Sequence, residues 1–308
     1  MNIAFIFKGT HSNNRKIKKV LAITKSSELF NIINKYESQY AGNSIEIARV
    51  IAPENNYVIA VGGDGTLNEV VNGIMQYHQE NPSETLPILG VLPLGTANDF
   101  VKSINHKKGI DALLVLIKNQ HYHSIDLGKL QCNDEDRISK ITRYFINIAD
   151  VGFGAHVVQK TNSGNSLFGA NYTYIKAILS TFLSYKPKLL SLNIDDQAEQ
   201  KQRALSIVFA NGKYFGSGLG IAPHAQLADG KLAITHIGNV SMFDFLFYLG
   251  ALKKGKKLSH PEAKYLKATK ITIRSEDKHA AVEADGEFIG YLPVTAEVIP
   301  AKILFLMP

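Results

Sequence analysis

The apolar pattern of the chain changes near residue 125, and the change separates two kinds of element. Before it, short β-type runs at 3–7, 57–61 and 88–92 alternate with helical stripes at 44–51, 68–78 and 110–118. Alternation of this kind predicts a parallel α/β sheet. After it, strand-like segments dominate, at 124–130, 143–149, 189–194, 204–210, 232–237, 270–274, 280–284 and 294–299, with turn residues between them. Many short strands predict an antiparallel sandwich or barrel-like domain. One helix interrupts them at 169–185, carries Tyr172, Ile175, Ile178, Leu179 and Phe182 on one side, and is ended by Lys186-Pro187. A last strand at 301–307 is free to return to the first domain. The expected fold class is therefore α/β plus all-β: an N-terminal α/β nucleotide-binding domain over 1–125 and a C-terminal antiparallel β-sandwich domain over 126–308.

Composition narrows the setting. A chain of 308 residues with 45% apolar content is long enough for two domains with real cores. The single cysteine, Cys132, excludes internal disulfides and cysteine-rich metal sites and fits a reducing cytoplasm. Its acidic neighbours make it a poor nucleophile. The first residues read as a strand rather than a signal peptide. The longest apolar stretch, Met242 to Leu252, is about half a membrane span and contains Asp244. The net charge is +7, and its densest cluster is Lys253, Lys254, Lys256 and Lys257, directly after that stretch. Apolar residues beside lysines fit contact with an anionic membrane surface. They equally fit a buried helix ending in a solvated lysine turn. Aromatic and basic residues are not interleaved as in nucleic-acid binders, so no nucleic-acid partner is expected.

The chemistry concentrates in glycine-rich turns. In Tyr57-Val58-Ile59-Ala60-Val61-Gly62-Gly63-Asp64-Gly65-Thr66-Leu67-Asn68-Glu69, an apolar strand stops at three glycines and an aspartate, and a helix begins. Such loops bring backbone N–H groups and a helix N-terminus to a phosphate. Asp64 would repel phosphate unless a cation bridges them, so nucleotide with Mg²⁺ is the natural ligand. Thr66 and Glu69 have capping-box spacing. A second Gly-Thr turn, Leu94-Gly95-Thr96-Ala97-Asn98-Asp99, follows the next strand. Thr96 there is placed to donate to phosphate and Asp99 to position a metal-bound water, while Asn98-Asp99 also reads as a helix cap. Asp285-Gly286 is by itself a hairpin signal. Ile221 to Lys231 reads as a loop able to hold a hard cation, and Asn211 to Gly220 as a glycine-rich turn. The histidines form no ligand set, and no Gly-x-Ser-x-Gly elbow occurs.

Taken together, Gly62-Gly63-Asp64-Gly65-Thr66-Leu67-Asn68-Glu69-Val70, Leu94-Gly95-Thr96-Ala97-Asn98-Asp99-Phe100, Ala222-Pro223-His224-Ala225 with Asp229-Gly230, and Asp285-Gly286-Glu287 resemble the diacylglycerol kinase catalytic family, most closely its bacterial soluble lipid-kinase branch. The resemblance implies a cytoplasmic enzyme that transfers the γ-phosphate of ATP to a lipid hydroxyl, most naturally that of diacylglycerol, to give phosphatidic acid. It implies that Gly62, Gly63, Asp64, Gly65, Thr66, Leu67, Asn68 and Thr96 cradle the nucleotide. Ser38 matches a nucleotide-contacting threonine, and Gly9 and Thr10 offer further donors. It implies that Asp64, Asp99 and Asp126 organise Mg²⁺ through water. Glu287 matches the proton acceptor, with Asp285 beside it. Gln226, Asp229 and Lys231 match a structural Mg²⁺ loop, Gln226 and Lys231 through backbone carbonyls. The expected partners are ATP and a lipid at an anionic membrane surface, and the resemblance admits a homodimer. The chain departs from the family twice: Lys8-Gly9-Thr10-His11-Ser12-Asn13-Asn14 stands where Asn-Pro-x-Ser-Gly is usual, and Ala228-Asp229-Gly230 where the metal loop has Asp-Asp-Gly. An NAD-kinase-like or other small-molecule kinase, and a non-catalytic nucleotide- or lipid-binding regulator, are the alternatives.

Overall fold

The structure is a computed structural model that describes residues 1–9, 15–107, 109–134, 136, 138–162, 170–277 and 280–308. The chain divides into two compact units, Met1–Ile125 with Ala301–Pro308, and Asp126–Pro300.

The first unit is an α/β layer structure. Its strands are β1 (Asn2–Lys8), β2 (Ile32–Ser38), β3 (Tyr57–Gly62) and β4 (Ile88–Pro93). They pair in parallel in the order β4–β3–β1–β2. The end of the last strand, β15 (Glu287–Leu306), adds beyond β4 through Phe305 opposite Leu89. β3, β4 and the interior of β1 (Ile3–Phe7) are apolar because helices cover the sheet: α1 (Arg15–Ser26), α2 (Asn43–Ile51), α3 (Asp64–Glu80), α4 (Asp99–Ser103) and α5 (Ile110–Lys118). Phe5, Phe7, Ile59, Val61, Leu113 and Ile117 meet in one core. The chain leaves β1 to one side for β2 and returns to the other side for β3. This reversal leaves a crevice at the carboxyl ends of β1 and β3, where open parallel sheets bind ligands. Helix α1 and strand β2 are absent from the apolar pattern. β2 is an edge strand with a single fully buried residue, Ser38, so it lacks the apolar signature of its neighbours.

The second unit is antiparallel, with a main sheet in the order β12–β11–β10–β7–β14–β15. These strands are β7 (Ile148–Gly152), β10 (Ser206–Ala210), β11 (Leu232–Ile237), β12 (Ala263–Ala268) and β14 (Ala281–Ala284), with β15. β13 (Lys270–Arg274), β8 (Lys188–Ile194) and β9 (Gln200–Ala204) extend from β15, and β5 (Tyr122–Asn133) pairs with β6 (Lys140–Phe145). Ala149, Val151, Ile207, Phe209, Leu232, Ile234 and Val282 point into the common core. The opposite face of β7, β10 and β11 is also covered, by a loop containing Ala222 and Ala225 and by helices α6 (Phe153–Asn162), α7 (Ala170–Ser184) and α8 (Met242–Lys253). The fold class expected from the sequence holds, with more helix in the second unit than the strand pattern implies.

Two sequence expectations change for identifiable reasons. The strand expected over 143–149 is broken into β6 and β7 because the buried Asp285 carboxylate accepts the N–H groups of Ile146, Asn147 and Ile148 at 2.9–3.0 Å and bends the chain there. The helix expected from Asn68 begins at Asp64, with Gly63 as its N-cap and no side-chain cap. Thr66 and Glu69 therefore form no capping box. Glu69 instead accepts from the N–H groups of Gly42 and Ser44 and caps α2. Among the described residues no helix is long and apolar enough to cross a membrane.

Candidate nucleotide and acceptor sites

In the first unit the two glycine-rich turns are built against each other. Leu94 and Gly95 both donate their N–H to Gly62 O, at 2.9 and 3.1 Å. A Cβ on Gly95 would lie 2.4 Å from Gly63 Cα, so only glycine permits this approach of backbone to backbone. Thr66 folds back on Gly62, where an added Cβ would meet its Oγ1 at 2.4 Å. The first bond of α3 runs from Leu67 N–H to Gly63 O, which leaves the first-turn amides before it without an acceptor inside the helix. Those N–H groups suit an anion and coincide with the positive end of the helix dipole. Leu67 and Asn68 of the expected cradle are also engaged with the helix. Leu67 spends its N–H on the helix and buries its side chain, and Asn68 is buried and accepts from Asn72 Nδ2. Both shape the helix that follows the loop. Thr96 is exposed at the tip of the second turn. Gly9 lies against Ser38, whose carbonyl would clash with any Cβ at position 9. Ser38 is itself buried. Thr10 lies outside the described residues.

The two loops also share their carboxylates. Asp64 accepts from the N–H groups of Asp99 and Phe100, both at 3.1 Å, and so caps α4 from the neighbouring loop. Asn98 does not cap it. Asn98 adopts a left-handed φ of 48° and donates to Gly95 O. Asp99 is buried and paired with Lys102 at 2.8 Å. Burial, and then the charge of Asp99, push the Asp64 carboxyl above the usual carboxylate range, against the pull of its backbone donors. Two neighbouring carboxylates that repel each other are the kind of pair a hard cation relieves. Here the Lys102 ammonium already sits on Asp99, and among the described residues no group of three or more His, Cys, Asp or Glu is placed to hold a metal ion.

Asp126 belongs to the second unit. It is buried, accepts Gly230 N–H at 2.7 Å, and its own N–H and C=O bind Leu227 O and Asn211 Nδ2. It therefore ties together two loops that the sequence marks separately, Asn211–Gly220 and Ile221–Lys231. In the expected structural metal loop, Lys267 donates its ammonium to Asp229 Oδ2 at 2.5 Å and to the side-chain Oε1 of Gln226 at 3.0 Å, and Asp229 Oδ1 takes Lys231 N–H. Of the expected donors, the Asp229 carboxylate therefore already has a cationic partner, in a loop with one carboxylate fewer than the family pattern. Thermal unfolding of the apo protein is expected to give the same Tm, within about 1 °C, in EDTA and in millimolar Mg²⁺. A rise of several degrees with Mg²⁺ that disappears in Asp229→Ala would show that this loop holds metal after all.

The hairpin predicted from Asp285-Gly286 is present. Both residues have positive φ, 48° and 86°, as a type I′ turn requires, and Ala284 pairs with Glu287. Glu287 is half-buried at the start of β15. Asp285 is committed to the three N–H groups that break the strand. It holds the turn's framework beside Glu287.

Two further carboxylates have no role in the sequence expectation. Asp150 on β7 and Glu283 on β14 stand opposite each other in antiparallel register, both fully buried. Asp150 accepts from Gly154, Ala155 and Ser206 Oγ. Glu283 accepts from Gly286 N–H, within the Asp285–Glu287 turn. Desolvation raises both carboxyls, Asp150 to about 6 and Glu283 well up, and the Asp150 charge adds to the penalty on Glu283. Their signal in the sequence is a lone carboxylate inside an apolar strand. Asp150 and Ser206 line one side of an apolar cavity of about 110 Å³ that is otherwise walled by residues such as Val157, Ile178, Phe182, Phe245, Tyr248 and Leu252. Cys132 lies in the core, and burial with Asp134 lifts its thiol to about 12, so it is no nucleophile.

A profile of the Diacylglycerol kinase catalytic domain matches residues 4–130, and one of the YegS C-terminal NAD kinase beta sandwich-like domain matches residues 147–307. The chain is 30% identical to a diacylglycerol kinase of Staphylococcus epidermidis, over 92% of this chain and 84% of that one. It is 29% identical to a protein of Shewanella frigidimarina named "Probable lipid kinase YegS-like", over 100% and 94%. Its fold is shared with a diacylglycerol kinase of Bacillus anthracis, with a TM-score of 0.71, 19% identity and coverage of 100% and 97%. It is also shared, more distantly, with an NAD kinase of Archaeoglobus fulgidus solved with ATP, with a TM-score of 0.54, 14% identity and coverage of 99% and 93%. Two domain profiles in succession, and relatives aligned over most of both chains, agree: this chain belongs to the diacylglycerol kinase catalytic family.

Proposed function

We propose that the protein is an ATP-dependent lipid kinase that phosphorylates the free hydroxyl of diacylglycerol, giving phosphatidic acid and ADP. The observation that carries this reading is the apolar cavity of the second unit, with Asp150 and Ser206 at one side. A lining of this kind suits acyl methylenes and offers little to a polyol or a dinucleotide. The first-turn amides of α3 and the Gly95-Thr96 turn bind and orient the triphosphate, since phosphoryl transfer depends on positioning and charge neutralisation more than on covalent help. Asp64 and Asp99 would hold Mg²⁺, which would supply charge neutralisation for the phosphates, and the family resemblance assigns Asp126 to the metal as well. Glu287 accepts the hydroxyl proton as the lipid oxygen bonds to the γ-phosphorus and the bond from that phosphorus to the bridging oxygen breaks.

A panel of diacylglycerol, a sphingoid base, phosphatidylglycerol and NAD, each with ATP and Mg²⁺ and scored by phosphorylated product, tests the reading. Turnover is expected with diacylglycerol. Product from NAD alone would make the protein a dinucleotide kinase. Measurable ATP binding without any product would make it a regulator that kept the fold.

A further inference from the structure

Helix α8 is apolar on both of its faces. On one, Phe245, Tyr248 and Leu252 wall the cavity, and Phe245 meets Phe182 of α7 with ring centroids 5.7 Å apart. On the other, Phe243, Leu246 and Phe247 follow helical spacing and stand in solvent, 77%, 46% and 81% exposed. The exposure is not end fraying. A capping box fixes the first turn, in which Ser241 Oγ accepts Asp244 N–H and Asp244 accepts Ser241 N–H. A helix apolar all round is ordinarily buried in a core or in lipid. Directly after it, Lys253, Lys254, Lys256 and Lys257 are all exposed, and among the described residues none has a carboxylate in ion-pair range.

We propose that α8 is the membrane-docking face of the protein: Phe243, Leu246 and Phe247 enter the interfacial layer of an anionic bilayer, and the four lysines lie against its headgroups. The charge decides the occupant. Exposed apolar residues flanked by lysines without a carboxylate partner, one of them (Lys257) resting over the Tyr265 ring, match the two attractions of a peripheral helix, apolar insertion and the negative surface potential. The inner face of the same helix walls the cavity, so docking brings that wall to the layer from which an acyl chain must come. The purpose of the face rests on the lipid-kinase reading; its existence does not.

The test is co-sedimentation with vesicles of phosphatidylglycerol and phosphatidylcholine that contain no diacylglycerol, in the absence of ATP. Wild-type protein is expected to bind them, to release at high salt, and to bind pure phosphatidylcholine poorly. Phe243→Ser with Phe247→Ser, and separately glutamine at all four lysines, should each weaken binding about tenfold or more while Tm is kept. Phosphorylation of a water-soluble short-chain diacylglycerol should be unchanged in the phenylalanine variant. Wild-type binding retained by both variants overturns the proposal. So does a wild-type dimer in sedimentation velocity that the phenylalanine variant converts to monomer, because a second copy would then cover this face. Absence of turnover in the wild type would sink the kinase reading and leave the vesicle result standing.

Discussion

Replacing Asp64 by asparagine is expected to abolish most ATP- and Mg²⁺-dependent turnover, by on the order of 100-fold or more, while the protein stays folded. Asp64 does two jobs that the two obvious substitutions separate. It caps α4 through the N–H groups of Asp99 and Phe100, and it supplies negative charge beside Asp99. Asparagine keeps one acceptor oxygen for the cap and loses the charge; alanine loses both. If the charge holds the metal, both variants are inactive; asparagine keeps one of the two capping bonds and alanine neither, so alanine loses more stability, about 1 kcal/mol as for other lost caps. Near-normal turnover in Asp64→Asn would reduce Asp64 to a helix cap and end the metal reading. The pH dependence has a definite sign. Burial and Asp99 raise the Asp64 carboxyl, so lowering the pH protonates it earlier than an ordinary aspartate and discharges the cation site. Activity should therefore fall on the acidic side, and higher Mg²⁺ should move that fall to lower pH, because a cation favours the charged form. The measurement is kcat/KM against pH at two Mg²⁺ concentrations.

What could be read from the sequence follows from how far apart the cooperating residues lie. Tyr57 to Thr66 carries its own chemistry, so a strand, a tight turn and a helix start are legible within ten residues, and the structure shifts the helix start by only one turn. The second Gly-Thr turn was legible for the same reason. Its contact with the first was not, because Gly95 against Gly63 is a backbone approach between segments about thirty residues apart. Glu69 shows the limit of local spacing. Its position three residues after Thr66 is that of a capping box, and it caps a different helix.

Long-range electrostatics were the least legible. Lys267 lies 38 residues from Asp229, and no spacing rule announces that its ammonium sits on the expected metal donors. Asp285 breaks a strand that precedes it by more than 130 residues, so the apolar run through Ile146 reads as continuous until its donors are seen. Asp150 and Glu283 each look like an ordinary acid in a strand. Their register, and the burial that raises both, exist only in the folded sheet.

Glu287→Gln should lower kcat by about 10²- to 10⁴-fold, the usual worth of a positioned general base, with nucleotide affinity unchanged. The hairpin holds three acids, and their surroundings assign them different work. Asp285 is buried with three backbone donors on its carboxylate. Leaving those donors unpaired would cost about 1–3 kcal/mol each, so its loss should appear as a lower Tm before any effect on chemistry. Glu283 is buried, accepts Gly286 N–H and faces Asp150, which fixes the turn from within. Glu287 is the half-buried member, at the first residue of β15, and the family resemblance makes it the proton acceptor. Glutamine preserves its size and hydrogen-bonding reach and removes only the ability to take a proton, so kcat with a soluble diacylglycerol, ATP binding and Tm read three different things. A fall in kcat alone assigns the proton to Glu287. A fall in Tm instead would make Glu287 part of the hairpin's framework, and near-normal turnover would require another acceptor for the lipid hydroxyl.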